Sequence, residues 1–207
     1  MIYHYLLTRF NLALWIEDKN GAAIDWEEGL KRRMALFETF WLPSVKHQSC
    51  QNFSWILLVD ANTPAVYRER IKTYRKLCSQ IKFVGVKAEY SYQFADIFRQ
   101  VVMLDLKQKG WQDGDLCLIT YLDNDDSIAN NFMERVQSEC LSFHLNPYEK
   151  CFFSFDYGLQ TYTKFGHFST RIYYPNNHFL TLAEYLLSSD SSLSSLRTCY
   201  GYGSHFL

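Results

Sequence analysis

The feature that most constrains this chain is the alternation of short apolar runs with stretches of helical periodicity. "IYHYLLT" (2–8), "FSWILLVD" (53–60), "IKFVGV" (81–86) and "LCLITYL" (116–122) all have strand length and are bounded by charged or turn-forming residues. Runs of this kind suit buried strands. Between the first two, Asp25 followed by Glu28 resembles a capping pair, and Trp26, Leu30, Met34, Phe37 and Trp41 recur at helical spacing until Pro43. A second helix is expected from the turn at Asn62-Thr63-Pro64 to about Cys78, and a third over residues 92–109, stopping at Gly110. The resulting order, βαβαβαβ, implies parallel strands joined by right-handed crossovers, with ligands bound beyond the carboxyl ends of the strands.

After a fourth helix expected at about 127–143 the pattern changes. "CFFSFDYGLQTYTKFGHFSTRIYY" alternates, is rich in Tyr and Phe, and reads as antiparallel strands or hairpins. "FLTLAEYLL" reads as a last short helix and "SSDSSLSSLR" as a loop or mobile connection. At 207 residues, the chain is expected to form one domain.

The formal net charge of −1 provides no long-range field for nucleic acid, and the basic run Arg68, Arg70, Lys72, Arg75, Lys76 reads as a solvated helix face. Six cysteines without a Cys-x-x-Cys pair suit reduced, packed thiols rather than zinc or a disulfide framework. No basic leader opens the chain and no apolar run reaches membrane-spanning length, so no transmembrane segment and a cytoplasmic location are expected.

The fourth run ends in "LDNDD", which places Asp123, Asp125 and Asp126 within four residues. Such carboxylates repel one another unless water, hydrogen-bond donors or a cation screens them. Two readings stay open from the residues alone: a polar strand-to-helix loop with a capping Asp, or a pair of carboxylates that shares a hard divalent ion with a diphosphate. A calcium hand is excluded by Ile128, which stands where that loop needs Gly. A phosphohydrolase with a nucleophilic Asp is a competitor, although three βα units precede the motif here.

"LLTRFN", "WILLVDANTP" and "YLDNDD", in this order, resemble the nucleotide-sugar half of a GT-A glycosyltransferase. With "RRMALFETFWLPSVKHQSCQNFSWILLVD" and "GDLCLITYLDNDDSIANNFMERVQ", the wording is most similar to the bacterial rhamnosyltransferase family. The chain departs from that family's pattern at Tyr121, where the family has Arg, and the family pattern continues beyond position 207.

The resemblance implies an α/β, GT-A-like nucleotide-binding fold: a mostly parallel central sheet flanked by helices, with an aromatic-rich antiparallel C-terminal part. Residues 1–126 would form the nucleotide-sugar-binding half and 127–207 the acceptor half. The implied activity is metal-dependent transfer of a sugar from a nucleoside diphosphate donor to a saccharide or glycoconjugate acceptor, assisted by Mn²⁺ or Mg²⁺. Peripheral association with a membrane is left open. Two alternatives are a metal-dependent phosphohydrolase and a non-catalytic nucleotide- or saccharide-binding module.

The resemblance also implies site roles. Thr8, Arg9 and Asn11 would contact the base and phosphates, Arg9 through its bidentate fork. Asp60 would accept the N–H of a pyrimidine ring. Asp123 would face the ribose and diphosphate and share the metal with Asp125 and Asp126, and Arg99 would add a cation. An inverting transfer needs a carboxylate to deprotonate the acceptor, for which Glu184 and Asp156 are the candidates. His167, His178 and His205, and the aromatics Tyr157, Tyr162, Phe165, Tyr173 and Tyr174, are further candidates for acceptor contacts, with surface or core packing as their ordinary fate.

Overall fold

A computed structural model describes residues 1–12, 25–162, 168–175 and 179–187. Strand β1 (Ile2–Arg9) leads to helix α1 (Trp26–Leu36), a π-helical turn (Phe37–Trp41) and α2 (Leu42–Lys46). Next come β2 (Ser54–Asp60), α3 (Ala65–Leu77), β3 (Ile81–Val86), a 3₁₀ turn (Ala88–Gln93), α4 (Phe94–Lys109) and β4 (Asp115–Tyr121). Helix α5 (Phe132–Ser142) precedes β5 (Lys150–Phe153), β6 (Tyr157–Tyr162), β7 (Phe168–Tyr173) and β8 (Thr181–Leu186). No helix among the described residues is long and apolar enough to cross a membrane.

Six strands form one sheet in the order β3-β2-β1-β4-β8-β5. The first four are mutually parallel, as the alternating pattern requires, and β8 runs antiparallel to both β4 and β5. The expected α/β architecture is therefore observed. Strands β6 and β7 pair separately as an antiparallel hairpin.

Side chains alternate along β1 and β4 between two cores. Leu6, Phe10, Leu118 and Leu122 face the side covered by α1, α3 and α5, while Tyr5, Leu7, Ile119 and Tyr121 face α4. With both faces covered, the strands read as continuous apolar runs rather than as alternating ones. Phe37 is the hub of the first core: its ring lies 5.0 Å from Phe10, 5.5 Å from Trp41 and Trp55, and 4.8 Å from Tyr74. The Asp25 cap forms as expected, accepting the backbone N–H groups of Glu27 (3.1 Å) and Glu28 (3.0 Å). The helical path continues past Pro43, which comes just after the π-helical turn. All five described cysteines are free thiols.

Two expectations are corrected. "FLTLAEYLL" does not form a helix; its residues 181–186 are β8, seated between β4 and β5. Leu, Ala and Glu favour helix in isolation, but pairing on both edges and burial of nearly the whole segment outweigh that preference. Helix α5 starts at Phe132, five residues later than its sequence pattern suggested, where the preceding loop is tied to the segment that follows α2. Gln48 Nε2 donates to Ala129 O (2.7 Å), and Ser49 N donates to Asn130 O (2.7 Å). The Ser-rich stretch and the three candidate histidines lie outside the described residues, as does Phe165.

Buried polar groups occur in β1 as well. His4 is enclosed against α5, where Gln137 Nε2 donates to its Nδ1 (3.3 Å), leaving Nε2 to donate to Thr120 Oγ1 (2.8 Å). Burial pulls the imidazole down to about 3. The folded protein thus keeps His4 neutral across a range in which the unfolded chain, with an ordinary value near ~6.5, takes up a proton. Stability from this source is complete above about pH 6.5 and is lost as pH falls toward about 3, by up to about 1.4 kcal/mol per pH unit. Urea unfolding at pH 7, 6 and 5 should show this decline, and His4→Gln should flatten it. An unchanged slope in the variant would mean that His4 does not carry the effect.

Candidate active site

The carboxyl ends of the parallel strands bring together segments far apart in sequence. At the end of β1, the Asn11 side chain works as a clip: its Nδ2 donates to Thr63 Oγ1 (2.9 Å) and its Oδ1 accepts from Asp60 N (3.1 Å). Thr63 Oγ1 in turn donates to Asp60 O (2.6 Å). From the other side, Asn124 Nδ2 donates to Phe10 O (2.9 Å), while Leu122 N donates to Leu7 O (3.0 Å). The loops that follow β1, β2 and β4 are therefore fastened to one another.

A charged group stands at the centre of this edge. Arg9 Nη2 donates to Tyr121 Oη (2.6 Å) and to Asp123 Oδ1 (3.2 Å), and the Tyr121 hydroxyl donates to the same Asp123 oxygen. The guanidinium lies 4.6 Å above the Phe94 ring and 5.5 Å from that of Tyr121. Stacking of this kind holds a guanidinium flat while leaving its N–H edge usable. Burial, with the charge of Asp123 adding to it, pushes the Tyr121 hydroxyl far above its ordinary range, so it remains a donor at any physiological pH.

Along the loop, Asp125 is exposed and Asp126 is half-buried. Half-buried Arg33 of α1 faces Asp125: burial lowers the arginine, and the Asp125 charge opposes that shift. The crowding of carboxylates is thus relieved by arginines from two different elements. Asp60 uses its Oδ1 to accept from Asn62 N (2.7 Å), the geometry of a turn-capping Asp, and its other oxygen has no partner among the described residues.

The other expected site residues are distributed differently. Thr8 is fully buried and accepts from Trp55 Nε1 (3.1 Å), so it supports the core beneath the edge. Arg99 Nη2 lies 3.6 Å from Asp96 on the same helix. Glu184 stands apart from this edge. It lies buried in mid-strand opposite Cys117, with Lys150 Nζ 2.7 Å from its Oε2. The pair Thr120–Thr181 marks the edge three residues further on, so Glu184 sits about 10 Å inside it. Asp156 is exposed, in the segment between β5 and β6.

Three participants were not anticipated: Phe94, Asn124 and Arg33. A signal for Arg33 was present, since it falls inside the apolar stripe of α1, between Leu30 and Phe37. Phe94 carried no local signal, because its role depends on the 3₁₀ turn that brings α4 under Arg9.

The loop's donor set, all carboxylate oxygen, has the chemistry that Mg²⁺ or Mn²⁺ prefers. Among the described residues, however, no group of three or more His, Cys, Asp or Glu side chains comes together to hold a metal ion. Asp123, Asp125 and Asp126 are therefore not a ready-made cage, and further oxygens would have to come from a ligand.

A protein-family model described as "Putative rhamnosyl transferase" matches residues 8–206. No curated protein matches the chain. Among solved structures, the chain is similar to a crystal structure of residues 1–349 of TarS from S. aureus in complex with UDP, at 14% identity and a TM-score of 0.38. The likeness covers 70% of this chain and 33% of that one, so this chain spans about a third of that structure's length.

The clip has a measurable consequence. Asn11→Ala should lower unfolding stability by about 1–3 kcal/mol, because the Asp60 N–H and the Thr63 hydroxyl lose their partner at a buried position. Urea denaturation reads this directly. A loss below about 0.5 kcal/mol would show that Asn11 does not fasten the edge.

Proposed function

Because the chain belongs to this rhamnosyl transferase family, we propose that it is a glycosyltransferase that takes a sugar from a nucleoside diphosphate donor bound over the Arg9, Tyr121 and Asp123 group. Rhamnose is the sugar that the family description suggests. The supporting observation is the convergence of β1, β2 and β4 on one edge, where a stacked arginine, a turn carboxylate and an exposed acidic loop meet.

Each element of that edge has a role in the proposal. The donor's base lies against Asp60, whose remaining oxygen accepts a ring N–H. Its diphosphate lies near Arg9, whose planar fork suits phosphate oxygens, and near Arg33. Asp125, as the exposed carboxylate, with Asp126 beside it, would hold Mg²⁺ or Mn²⁺; when bound, such an ion would supply positive charge to offset that of the leaving diphosphate. Asp123, held by Arg9 and Tyr121, keeps this constellation in place. The acceptor is a saccharide or glycoconjugate hydroxyl, and Asp156 serves in this reading as the carboxylate that takes its proton.

Binding to the folded state alone stabilises it by mass action, by about 2.7 kcal/mol at a hundredfold excess over Kd. Uridine, thymidine or guanosine diphosphate with Mn²⁺ should therefore raise the melting temperature more than nucleotide or metal alone. If none of the three does so, the donor reading fails. Phosphate release from a phosphomonoester without any acceptor would point instead to a hydrolase.

Two substitutions separate the base from the metal. Asp60→Asn should weaken nucleotide binding about tenfold and change base preference, with metal affinity unaltered. Asp125→Asn should weaken Mn²⁺-dependent nucleotide binding and transfer by at least about tenfold, while shifting metal-free stability by less than about 1 kcal/mol. Calorimetric titration of both variants distinguishes these effects. Unchanged Mn²⁺-dependent affinity in folded Asp125→Asn would remove this residue from the site.

A further inference from the structure

The antiparallel direction of β8 has a topological consequence. Strand β5 ends at Phe153 opposite Thr181, where β8 begins, and Thr181 also pairs with Thr120 near the end of β4. The chain between Phe153 and Thr181 must leave and return at the edge that carries Asp123. Its first part is fixed there by apolar contacts: Phe153 lies edge-on to Phe143 at 5.6 Å, and Phe155 edge-on to Phe132 at 5.4 Å. The backbone bond from Tyr174 N to Asp156 O (2.7 Å) then closes the root of the β6–β7 hairpin.

One face of this hairpin carries an unusual set of side chains. Directly opposed residues of an antiparallel pair share a face, and the register sets Tyr157 opposite Tyr173, and Leu159 opposite Arg171. Tyr157, Leu159 and Tyr173 are 56%, 72% and 63% exposed, well beyond what core residues would show. The two Tyr rings lie 5.2 Å apart, and the Arg171 guanidinium is 4.1 Å above the Tyr157 ring. No carboxylate of the described residues pairs with Arg171. A guanidinium over an aromatic ring keeps N–H donors available, and its planar fork matches carboxylate or phosphate oxygens.

We propose that this face is the acceptor-docking surface and that its occupant is an acidic saccharide chain, one that carries uronate or phosphate groups. The role as acceptor site rests on the glycosyltransferase reading; the binding itself does not. Pyranose rings present C–H faces that cover the two Tyr rings and Leu159, while an acid group on a neighbouring residue meets Arg171. Starting from Asp156 at the root, the strip passes Tyr157 and Tyr173, and then Leu159 and Arg171. The end of such a chain therefore lies at the edge where the donor sugar is released, and the rest extends along the hairpin. Neighbouring Thr161 and Ser169, whose hydroxyls lie 2.8 Å apart, continue the strip with polar groups.

The test is affinity electrophoresis of the full chain through native gels that contain polygalacturonate, dextran or no polysaccharide. Polygalacturonate should retard the protein, dextran should do so far less, and added salt should weaken the effect because the contact includes an ion pair. Arg171→Gln should remove about tenfold of the affinity for polygalacturonate and bring it near that for dextran. Tyr157→Ala with Tyr173→Ala should abolish retardation in both gels. These residues are exposed, so circular dichroism should show an unchanged fold.

Equal mobility of the wild type in polygalacturonate and plain gels overturns the proposal, as does retardation that Arg171→Gln leaves intact. Binding to phosphatidylglycerol vesicles through the same residues, without saccharide binding, overturns it in favour of a lipid surface. Asp125→Asn separates this inference from the donor reading: it should lose nucleotide binding and keep polygalacturonate binding. Retained polysaccharide binding in a chain that never binds a nucleotide would defeat the donor reading alone.

Discussion

The structure depends on the parallel pairing of β1 with two neighbours at once. Leu6 stands opposite Trp55 of β2 on one side and Thr120 of β4 on the other. Such a strand has its backbone donors and acceptors satisfied within the sheet, and both its faces must then be covered by apolar side chains. Helices α1, α3 and α5 cover one face and α4 the other. What remains open to solvent and ligands is the strand end. Parallel crossovers return every strand to the same end, which is why Arg9 meets Tyr121 across 112 positions of sequence.

That convergence also makes the acidic loop tolerable. Three carboxylates in four residues would be costly on an isolated loop, and here two of the three interact with an arginine from another element. Arg9 approaches Asp123 from β1, and Arg33 approaches Asp125 from α1. Arg9 lies over the Phe94 ring, and Tyr121 adds a hydroxyl that stays protonated. A positively charged lining that offsets the loop's own charge is the environment a diphosphate would need, so in the proposed function structural and ligand electrostatics draw on the same residues.

The second half of the chain is organised by one reversal. β8 enters between β4 and β5 in the opposite direction, which buries Glu184 against Lys150 in mid-sheet. The same reversal brings Phe153 of β5 and Thr181 of β8 to the edge where β1, β2 and β4 end. The position of the β6–β7 hairpin is thus set by strand direction rather than by any property of the hairpin's own sequence.

Much of the fold of residues 1–126 was legible in the sequence because its signals are local. Strand-length apolar runs, the Asp25 cap, the Pro64 turn and Gly110 each act over a few residues, and together they imply the parallel sheet and its ligand edge. The acidic loop and Asp60 were visible for the same reason. What only tertiary structure decided involves pairing between distant segments. "TLAEYL" is compatible with helix until strands on both sides claim its backbone, and once they do, Glu184 moves away from the edge. Asn11 reads as a ligand contact until Thr63 and the Asp60 N–H occupy its side chain. In each case the residue's chemistry was evident from its identity, while its partner came from elsewhere in the chain, and hydrogen bonds in a buried site go to the groups that the fold brings within reach.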